Sequence, residues 1–283
     1  MESMTQKDPS QFCDKEFPMT DKDFEFICEL VYNTCGIVLG DHKREMVYSR
    51  LARRIRSIGL RDFKEYCELI NQKNSPELSE CINSITTNLT SFFRENHHFE
   101  FLENKALAEM KSRHSVDKRV RIWSAGCSSG EEPYSIAITL AKHFPTPWDF
   151  KVLATDLDSN MLYKAKNGIY AEDSVDGLPS EKMERGFVRS KANRQVKVKP
   201  GIQEHIQFKR LNLLQQWPMK GPFDVIFCRN VVIYFDQPTK VRLFERYWDM
   251  LADGGYLFLG HSESLSKDSP NFKSVGRTIY QKI

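Results

Sequence analysis

The chain has 283 residues, of which 40% are hydrophobic and 28% charged. This is an ordinary globular composition, and the length leaves room for one large domain and a small one. The formal net charge of +3 is too small for a chain that is basic throughout, so any basic function must be local. Seven cysteines without a CxxC pair fit neither a disulfide framework nor a zinc site, and no apolar stretch is long enough to span a membrane; we expect a soluble cytoplasmic protein.

The first ninety residues predict a disordered segment and then a small helical domain. Residues 1–18 are polar and lack the apolar core of a signal peptide, so we expect disorder there. The predicted helices open at a Thr20–Asp23 capping box and end at Gly36, and then cover residues 43–58, 63–72 and 76–88. A helical domain is therefore predicted over residues 19–90.

The second predicted helix has one apolar and one cationic side. Its apolar stripe comprises Val47, Leu51, Ile55 and Ile58, which recur at helical spacing. Three arginines point mostly away from that stripe: Arg50, Arg53 and Arg56. We therefore expect one side to pack and the other to form a cationic face.

From residue 119 onwards, short β-branched or aromatic runs alternate with helical segments. This alternation predicts a parallel sheet with helices on both faces. The predicted strands are Arg119–Ala125, Phe150–Thr155, His205–Leu211, Phe223–Cys228 and Tyr256–Gly260, and the predicted helices cover residues 131–143, 159–167 and 238–252. The lysine- and arginine-rich segment from about 172 to 206 interrupts this pattern, and we predict that it is a small inserted β-subdomain within an α/β domain at residues 91–283.

The first predicted strand runs into a loop of small residues, from Gly126 to Gly130, before Glu131 and Glu132 open a helix. Small residues let a ligand approach the backbone closely. The middle glycine of a dinucleotide-binding fingerprint is missing, and two acids at a helix start would repel a pyrophosphate. They could instead accept hydrogen bonds from an amino acid's ammonium group, which favours S-adenosylmethionine over NAD. The alternative is that the acids only complement the helix dipole.

The ends of two later strands carry further candidate residues. Asp156 follows the second strand, where a carboxylate can bind the two ribose hydroxyls of an adenosine. Its neighbour Asp158 could equally be the cap of the next helix, and Asp156 a turn residue. Arg229, Asn230 and Tyr234 follow the fourth strand, at the edge where open α/β sheets bind ligands. The Asn/Asp-Pro-Pro-Tyr/Phe box of DNA amino-methyltransferases is absent there, which argues against a nucleic-acid substrate.

Five segments together resemble the chemotaxis-receptor methyltransferases, the CheR family. They are Asn88–Phe99, Trp123–Tyr134, Leu211–Leu214, Cys228–Asp236 and Gly260–Glu263, within a resemblance that spans about residues 20 to 283. The resemblance implies a Rossmann-like S-adenosylmethionine-dependent methyltransferase domain, a small N-terminal helical domain and an inserted small antiparallel β-subdomain. It also implies the reaction, which is methylation of glutamate side chains on the cytoplasmic helices of chemoreceptors with S-adenosylhomocysteine as product.

The resemblance further assigns site residues. The implied cofactor contacts are Asn88, Thr90, Arg94, Glu132, Asp156, Asn212, Leu213, Arg229 and Asn230. Arg94 and Tyr234 would also lie beside the transferred methyl group, and the receptor would bind Arg50, Arg53 and Arg56. No metal is expected, since His97 and His98 are adjacent on a helix and point apart; we predict packing or capping roles for them, and a packing role for Cys127.

The expected partner is the receptor, without nucleic acid or membrane insertion, and the enzyme would be recruited to membrane receptor arrays. Family members that dock on a receptor's C-terminal pentapeptide carry a glycine in a loop of the inserted element. The corresponding stretch, Val188–Val196, has none, which predicts recognition without the pentapeptide. Two alternatives remain: an RNA or other protein methyltransferase of the same fold, and a cofactor-binding adaptor without catalysis.

Overall fold

The computed structural model describes residues 15–190, 192–265 and 270–283. The chain forms two compact units, one of residues 15–34 and 39–85, and the other of residues 35–38 and 86–283. The division between Ile85 and Thr86 lies ahead of the boundary drawn from the sequence near residue 90. The expected disorder of residues 1–14 falls outside the described residues and stays a prediction.

The first residues of the helical unit are packed. Phe17 is buried, and its N–H donates to the Tyr48 hydroxyl at 3.3 Å. The ordered part of the domain therefore begins before residue 19, where the sequence placed its start. The reason is that Phe17, an aromatic residue in an otherwise polar segment, is buried.

Local capping interactions define the helices of this unit. The Thr20 hydroxyl accepts a hydrogen bond from the Asp23 N–H at 3.2 Å, and the Asp23 carboxylate accepts one from the Thr20 N–H at 2.9 Å, which is the predicted capping box. Asp62 caps the third helix by accepting from the Glu65 N–H at 2.8 Å. The helices are α1 (Asp21–Cys35), α2 (Arg44–Ile58), α3 (Phe63–Ile70) and α4 (Pro76–Ile85). The last one ends at Ile85 and not at residue 88.

The second unit is an α/β domain. In the described residues its strands are β1 (Arg119–Ala125), β2 (Asp149–Asp156), β3 (Ile169–Ala171), β4 (Phe187–Ser190), β5 (Gln195–Val198), β6 (Ile206–Arg210), β7 (Phe223–Cys228), β8 (Leu251–Leu259), β9 (Phe272–Gly276) and β10 (Ile279–Lys282). Its helices are α5 (His97–Phe101), continued through a π-helical turn at Leu102–Ala106 into α6 (Leu107–Arg113), then α7 (Glu131–His143), α8 (Ser159–Asn167), α9 (Ser180–Gly186), α10 (Pro200–Gln203) and α11 (Gln237–Met250).

The main sheet has the order β6-β2-β1-β7-β8-β10-β9 among the described strands, and its first five strands are parallel. Side chains of β1 alternate between two buried clusters. Val120 and Ile122 join the cluster that contains residues of α6 and α7, whereas Trp123 and Ala125 join the one that contains residues of α11. The predicted sheet with helices on both faces is thus confirmed.

The sheet departs from the sequence prediction at its C-terminal end. β10 pairs antiparallel with β8 and with β9, so the sheet is mixed and not wholly parallel. β8 also begins at Leu251 and not at Tyr256, because a register shift between Phe223 and Val225 of β7 lets the strand continue through Gly254, whose φ is +68°. The Asp253–Gly254–Gly255 run looks like a turn in the sequence, which hid the early start of this strand.

The inserted element is a separate antiparallel sheet, as the family resemblance implied, in the order β3-β5-β4. Its first strand, β3, lies before residue 172, where the sequence placed the start of the insertion. Val196 and Val198 of β5 are fully buried, so this sheet shares the core of the main domain. No helix within the described ranges is both long and apolar enough to cross a membrane.

Candidate active site

Four adjacent parallel strands, in the order β6-β2-β1-β7, end at the same edge of the sheet. This edge is where open α/β sheets bind ligands, because the loops that follow the strands diverge there and leave a crevice. The predicted residues of these loops are Glu132 after β1, Asp156 at the end of β2, Asn212 and Leu213 after β6, and Arg229, Asn230 and Tyr234 after β7. The topology therefore gathers seven of the predicted side chains at one edge.

The loop after β1 is held close to β2. The N–H groups of Gly126 and Cys127 both donate to the Thr155 carbonyl, at 2.8 and 2.9 Å. Gly126 has a φ of +98°, and a Cβ there would overlap Val231, so only glycine allows this close approach. Cys127 is buried at this point, and burial raises the pKa of its thiol well above the usual value, as the predicted packing role requires.

Asp156 and its neighbour Asp158 have different roles. Asp156 accepts hydrogen bonds from the N–H of Ser128 at 2.7 Å and from the N–H of Asp158 at 2.9 Å. Desolvation nevertheless raises the pKa of Asp156 to about 6. Asp158 caps α8, as one of the two sequence interpretations held, by accepting from the N–H groups of Asn160 and Met161. Asp156 is thus the carboxylate that binds the loop after β1.

The segment from Thr86 to Asn96 contributes Asn88, Thr90 and Arg94. The Asn88 side-chain amide donates to Asp158 at 2.8 Å, and the Asn88 backbone carbonyl accepts from the Ser128 hydroxyl at 3.2 Å. These bonds fix Asn88 against the loops after β1 and β2. Thr90 is half-buried, and the Arg94 guanidinium donates to the Leu89 carbonyl at 2.7 Å, which shapes the segment into a turn.

Arg229 is the centre of a buried charge cluster. Its side chain is only 2% exposed and lies 3.2 Å from Glu132 and 3.4 Å from Glu95. It also donates to the Arg94 carbonyl. Burial raises the pKa of Glu132 despite Arg229, whereas the pKa of Glu95 is lowered because Arg229 and hydrogen bonds from His261 outweigh its own burial. Arg229, predicted to contact the cofactor, thus has its guanidinium engaged by protein groups.

Glu95 is a site residue that the sequence analysis did not single out. Beyond its ion pair with Arg229, it accepts hydrogen bonds from the N–H and the ring Nδ1 of His261, at 3.3 and 3.2 Å, and from the Asn230 amide at 3.5 Å. It therefore joins three segments that are far apart in the chain. No local pattern in the sequence indicates this role, because the partners of Glu95 lie in the loops after β7 and β8.

His98 lies beside Glu95. Burial lowers the pKa of His98 to about 3, and its Nε2 lies 3.0 Å from the Thr278 hydroxyl. Glu95, His97 and His98 each bring one possible metal-ligand atom within 4.8 Å of the others. The two rings approach to 4.1 Å between centroids, so they do not point apart as expected. Glu95 already neutralises Arg229, however, and we assign this cluster to an internal charge pair with a packed, neutral His98.

The loop after β7 carries Asn230 and Tyr234. Asn230 adopts a left-handed conformation, with a φ of +58°. Tyr234 ends a 3-10 turn, Val232–Tyr234, and is half-buried. Its carbonyl accepts a hydrogen bond from the Val38 N–H at 2.9 Å, which anchors the end of the turn.

Asn212 and Leu213 follow β6. The Asn212 side chain accepts from the Leu214 N–H at 3.0 Å, which closes a turn. Leu213 is buried, and its carbonyl accepts from Trp217 at 3.1 Å and from Arg246 at 2.6 Å. Leu213 thus forms an apolar wall, and its backbone is already bonded within the domain.

The arginines of α2 belong to the helical unit and differ in their contacts. Arg53 and Arg56 are exposed, and Arg56 pairs with Glu16. Arg50 is half-buried and donates to the carbonyls of Ser84 and Ile85 at the end of α4. Arg50 therefore departs from the expected exposed cationic face, because the end of α4 offers it unpaired carbonyls.

Two family models match the chain. The CheR methyltransferase all-alpha domain covers residues 22–86, and the CheR methyltransferase SAM-binding domain covers residues 88–281. The chain is 45% identical to the chemotaxis protein methyltransferase of Escherichia coli, over 93% of this chain and 91% of that protein. It is 43% identical to a probable chemotaxis protein methyltransferase of Rhizobium etli, over 89% of this chain and 96% of that protein. The chain therefore belongs to the CheR family of S-adenosylmethionine-dependent methyltransferases.

Proposed function

We propose that the chain transfers a methyl group from S-adenosylmethionine to glutamate side chains of chemoreceptors, in the cytoplasm and at receptor arrays, as part of chemotactic adaptation. Besides the family membership, one observation supports the proposal. The loops that bear Arg94 and Tyr234 are tied together at the sheet edge where β2 ends with Asp156. Arg229, which precedes Tyr234 in one loop, donates to the Arg94 carbonyl of the other. The two residues that the family resemblance places beside the methyl group therefore share one framework.

The donor set fits the cofactor. S-adenosylmethionine, when bound, supplies an electrophilic methyl group on a positively charged sulfur. Asp156 would accept hydrogen bonds from the two ribose hydroxyls, which favour the ionised form of a carboxyl whose pKa burial has raised to about 6. Glu132 is paired with Arg229 at the start of α7, where it could bind the ammonium group of the methionine moiety. Leu213 would contribute an apolar wall for the adenine ring.

The acceptor carboxylate needs no general base, because a glutamate side chain is ionised at neutral pH. What the protein must supply is position: the carboxylate oxygen has to lie in line with the carbon–sulfur bond that breaks as the oxygen–carbon bond forms. Negative and positive charges neutralise each other in this step, so exclusion of water favours it. Arg94 would hold a carboxylate, and the Tyr234 hydroxyl would orient the acceptor oxygen.

Replacing Tyr234 by phenylalanine is expected to lower turnover by at least about tenfold, because one hydrogen bond to the acceptor oxygen is lost in the transition state. Affinity for S-adenosylhomocysteine should change little. Steady-state methylation and calorimetric titration measure the two quantities. Tyr163→Phe, on an exposed tyrosine of α8, is the matched control. An unchanged rate in Tyr234→Phe refutes the assigned role.

A labelling experiment tests the proposed function directly. The purified chain is incubated with S-adenosylmethionine labelled in the methyl group and with receptor-containing membranes. Label released as methanol by mild base identifies a carboxyl methyl ester and supports the proposal. Base-stable label would point to RNA or amine methylation, and absence of label to an adaptor without catalysis; both results contradict the proposal.

For receptor binding, we propose α2 as the contact surface, led by the exposed Arg53 and by Arg56. Cationic side chains on a helix suit an acidic partner and mainly raise the rate of encounter, an effect that salt weakens. Arg56 would exchange its ion pair with Glu16 for one with the receptor. Arg50 would act by holding the end of α4 in place.

We also propose that receptor recognition does not use the C-terminal pentapeptide. β4 and β5 pair directly from Ser190 to Gln195, so a short connection without glycine joins them. Calorimetric titration of the pentapeptide should give no heat of binding at micromolar concentrations. Micromolar affinity in that titration contradicts this proposal and leaves the methylation reaction unaffected.

A further inference from the structure

We propose that Glu263 is a positioning residue for methyl transfer, whose carboxylate holds the loop that carries Arg229, Asn230 and Tyr234. This inference rests on the proposed function, since the loop matters only if it serves the reaction. Glu263 lies after β8 in the Gly260–Glu263 motif, for which the sequence offers a resemblance but no role.

The Glu263 carboxylate accepts hydrogen bonds from three backbone N–H groups. One oxygen accepts from Gly260 at 2.6 Å and from Asn230 at 2.8 Å, and the other accepts from Ile233 at 3.1 Å. The residue is only 4% exposed, and its own N–H donates to the Gly260 carbonyl at 2.9 Å. Hydrogen bonds to an ionised acceptor are stronger than those between neutral groups, so this carboxylate is an efficient clamp.

The Glu263 carboxylate binds the loop after β7 at two residues. Asn230 has an unusual left-handed conformation, and Ile233 lies inside the 3-10 turn that ends at Tyr234. A residue at positive φ persists only when its surroundings hold it there. Because Arg229 precedes the first of these residues and Tyr234 follows the second, the carboxylate fixes the direction in which both side chains leave the backbone.

The geometry also explains Gly260. A Cβ at this position would lie 2.8 Å from the Asn230 nitrogen and 2.8 Å from a Glu263 oxygen, closer than real contacts allow. Glycine thus lets the end of β8 approach the β7 loop closely enough for one carboxylate to serve both. The glycine and the glutamate of the motif act as a pair.

Glutamine cannot replace this carboxylate although it has nearly the same shape. Its amide has only one oxygen that accepts hydrogen bonds. The NH₂ group would replace the other carboxylate oxygen and face backbone N–H groups that now donate to that oxygen. Whichever way the amide is turned, Glu263→Gln leaves at least one backbone N–H without an acceptor. The substitution therefore loosens the loop with almost no change in volume.

We expect Glu263→Gln to lower kcat for receptor methylation by about tenfold or more, since small displacements of reacting groups are costly. The KM for the receptor should stay within about twofold, because the substitution leaves α2, the proposed receptor-binding surface, unchanged. Glu245→Gln, on an exposed glutamate of α11, is the matched control and should behave as the wild type. A wild-type kcat in folded Glu263→Gln overturns the proposal, and so does an increase in KM alone.

A second measurement does not depend on the variant folding. In the wild-type protein, the amides of Asn230 and Ile233 should exchange slowly with deuterium, as carboxylate-bound N–H groups do. Exchange at the rate of free loop amides overturns the clamp. Failure of the proposed function gives a different pattern: the wild type makes no base-labile methyl ester, while these two amides are still protected.

Discussion

Replacing Arg229 by leucine is expected to lower the free energy of unfolding of the catalytic domain by about 3–5 kcal/mol. The guanidinium is 2% exposed, and the carboxylates of Glu132 and Glu95 lie 3.2 and 3.4 Å from it with only 12% and 11% of their side chains exposed. Leucine would leave two buried carboxylates without their cationic partner. It would also remove the hydrogen bond to the Arg94 carbonyl, which ties together the loops that bear Arg94 and Tyr234.

Urea unfolding followed by tryptophan fluorescence measures this loss, because all four tryptophans lie in the catalytic unit and none in the helical one. Arg189→Leu is the matched control. Arg189 is 58% exposed and lies 3.7 Å from Glu172, so its loss should cost at most about 1 kcal/mol. If Arg229→Leu proves no more costly than the control, the buried cluster has been misinterpreted.

Replacing Asp156 by asparagine is expected to weaken binding of S-adenosylhomocysteine by about 10- to 100-fold at pH 8. Hydrogen bonds to a charged acceptor contribute about 1.5–3 kcal/mol, and tenfold in affinity corresponds to about 1.4 kcal/mol. Calorimetric titration of the folded variant provides the value. Asp176→Asn, on an exposed aspartate of the same unit, should leave the affinity unchanged. Equal affinity in Asp156→Asn and the wild type would remove Asp156 from the site.

The same carboxylate predicts a pH dependence. Burial raises the pKa of Asp156 to about 6, and the ribose hydroxyls donate hydrogen bonds, so they bind the ionised form. Affinity should therefore be full above about pH 7 and fall as the pH drops through 6. Asp156→Asn should remove this part of the pH dependence. Wild-type affinity that stays constant between pH 5 and 8 contradicts the assignment.

Patterns confined to a few neighbouring residues predicted much of the fold. The capping residues Thr20, Asp62 and Asp158 act on backbone groups two or three positions away, so the sequence displays both partners together. β1 was predicted with its true bounds because the apolar residues Val120, Ile122 and Trp123 lead directly into a loop of small residues that ends the strand. β9 and β10 were missed, since their short, mixed sequences become strands only by pairing with each other and with β8.

The candidate site divides in the same way. Gly126, Glu132, Asp156 and the arginine-rich α2 could be identified from residue type and position, because small residues, strand ends and helix starts have predictable chemistry. Glu95 and Glu263 could not. Their partners lie in other segments, as in the bonds from Glu95 to His261 and from Glu263 to Asn230, and no local pattern indicates such pairs.

The sequence by itself determined the α/β domain, the helical domain, the inserted sheet and the five motifs, because hydrophobic period, caps and glycine positions act locally. Only the tertiary structure decided which charges are free and which are engaged. Arg229 and Arg50 looked available for ligand or receptor, yet one is enclosed by Glu132 and Glu95 and the other caps α4. Burial and long-range pairing set the state of a charged side chain, and both exist only once distant segments have packed together.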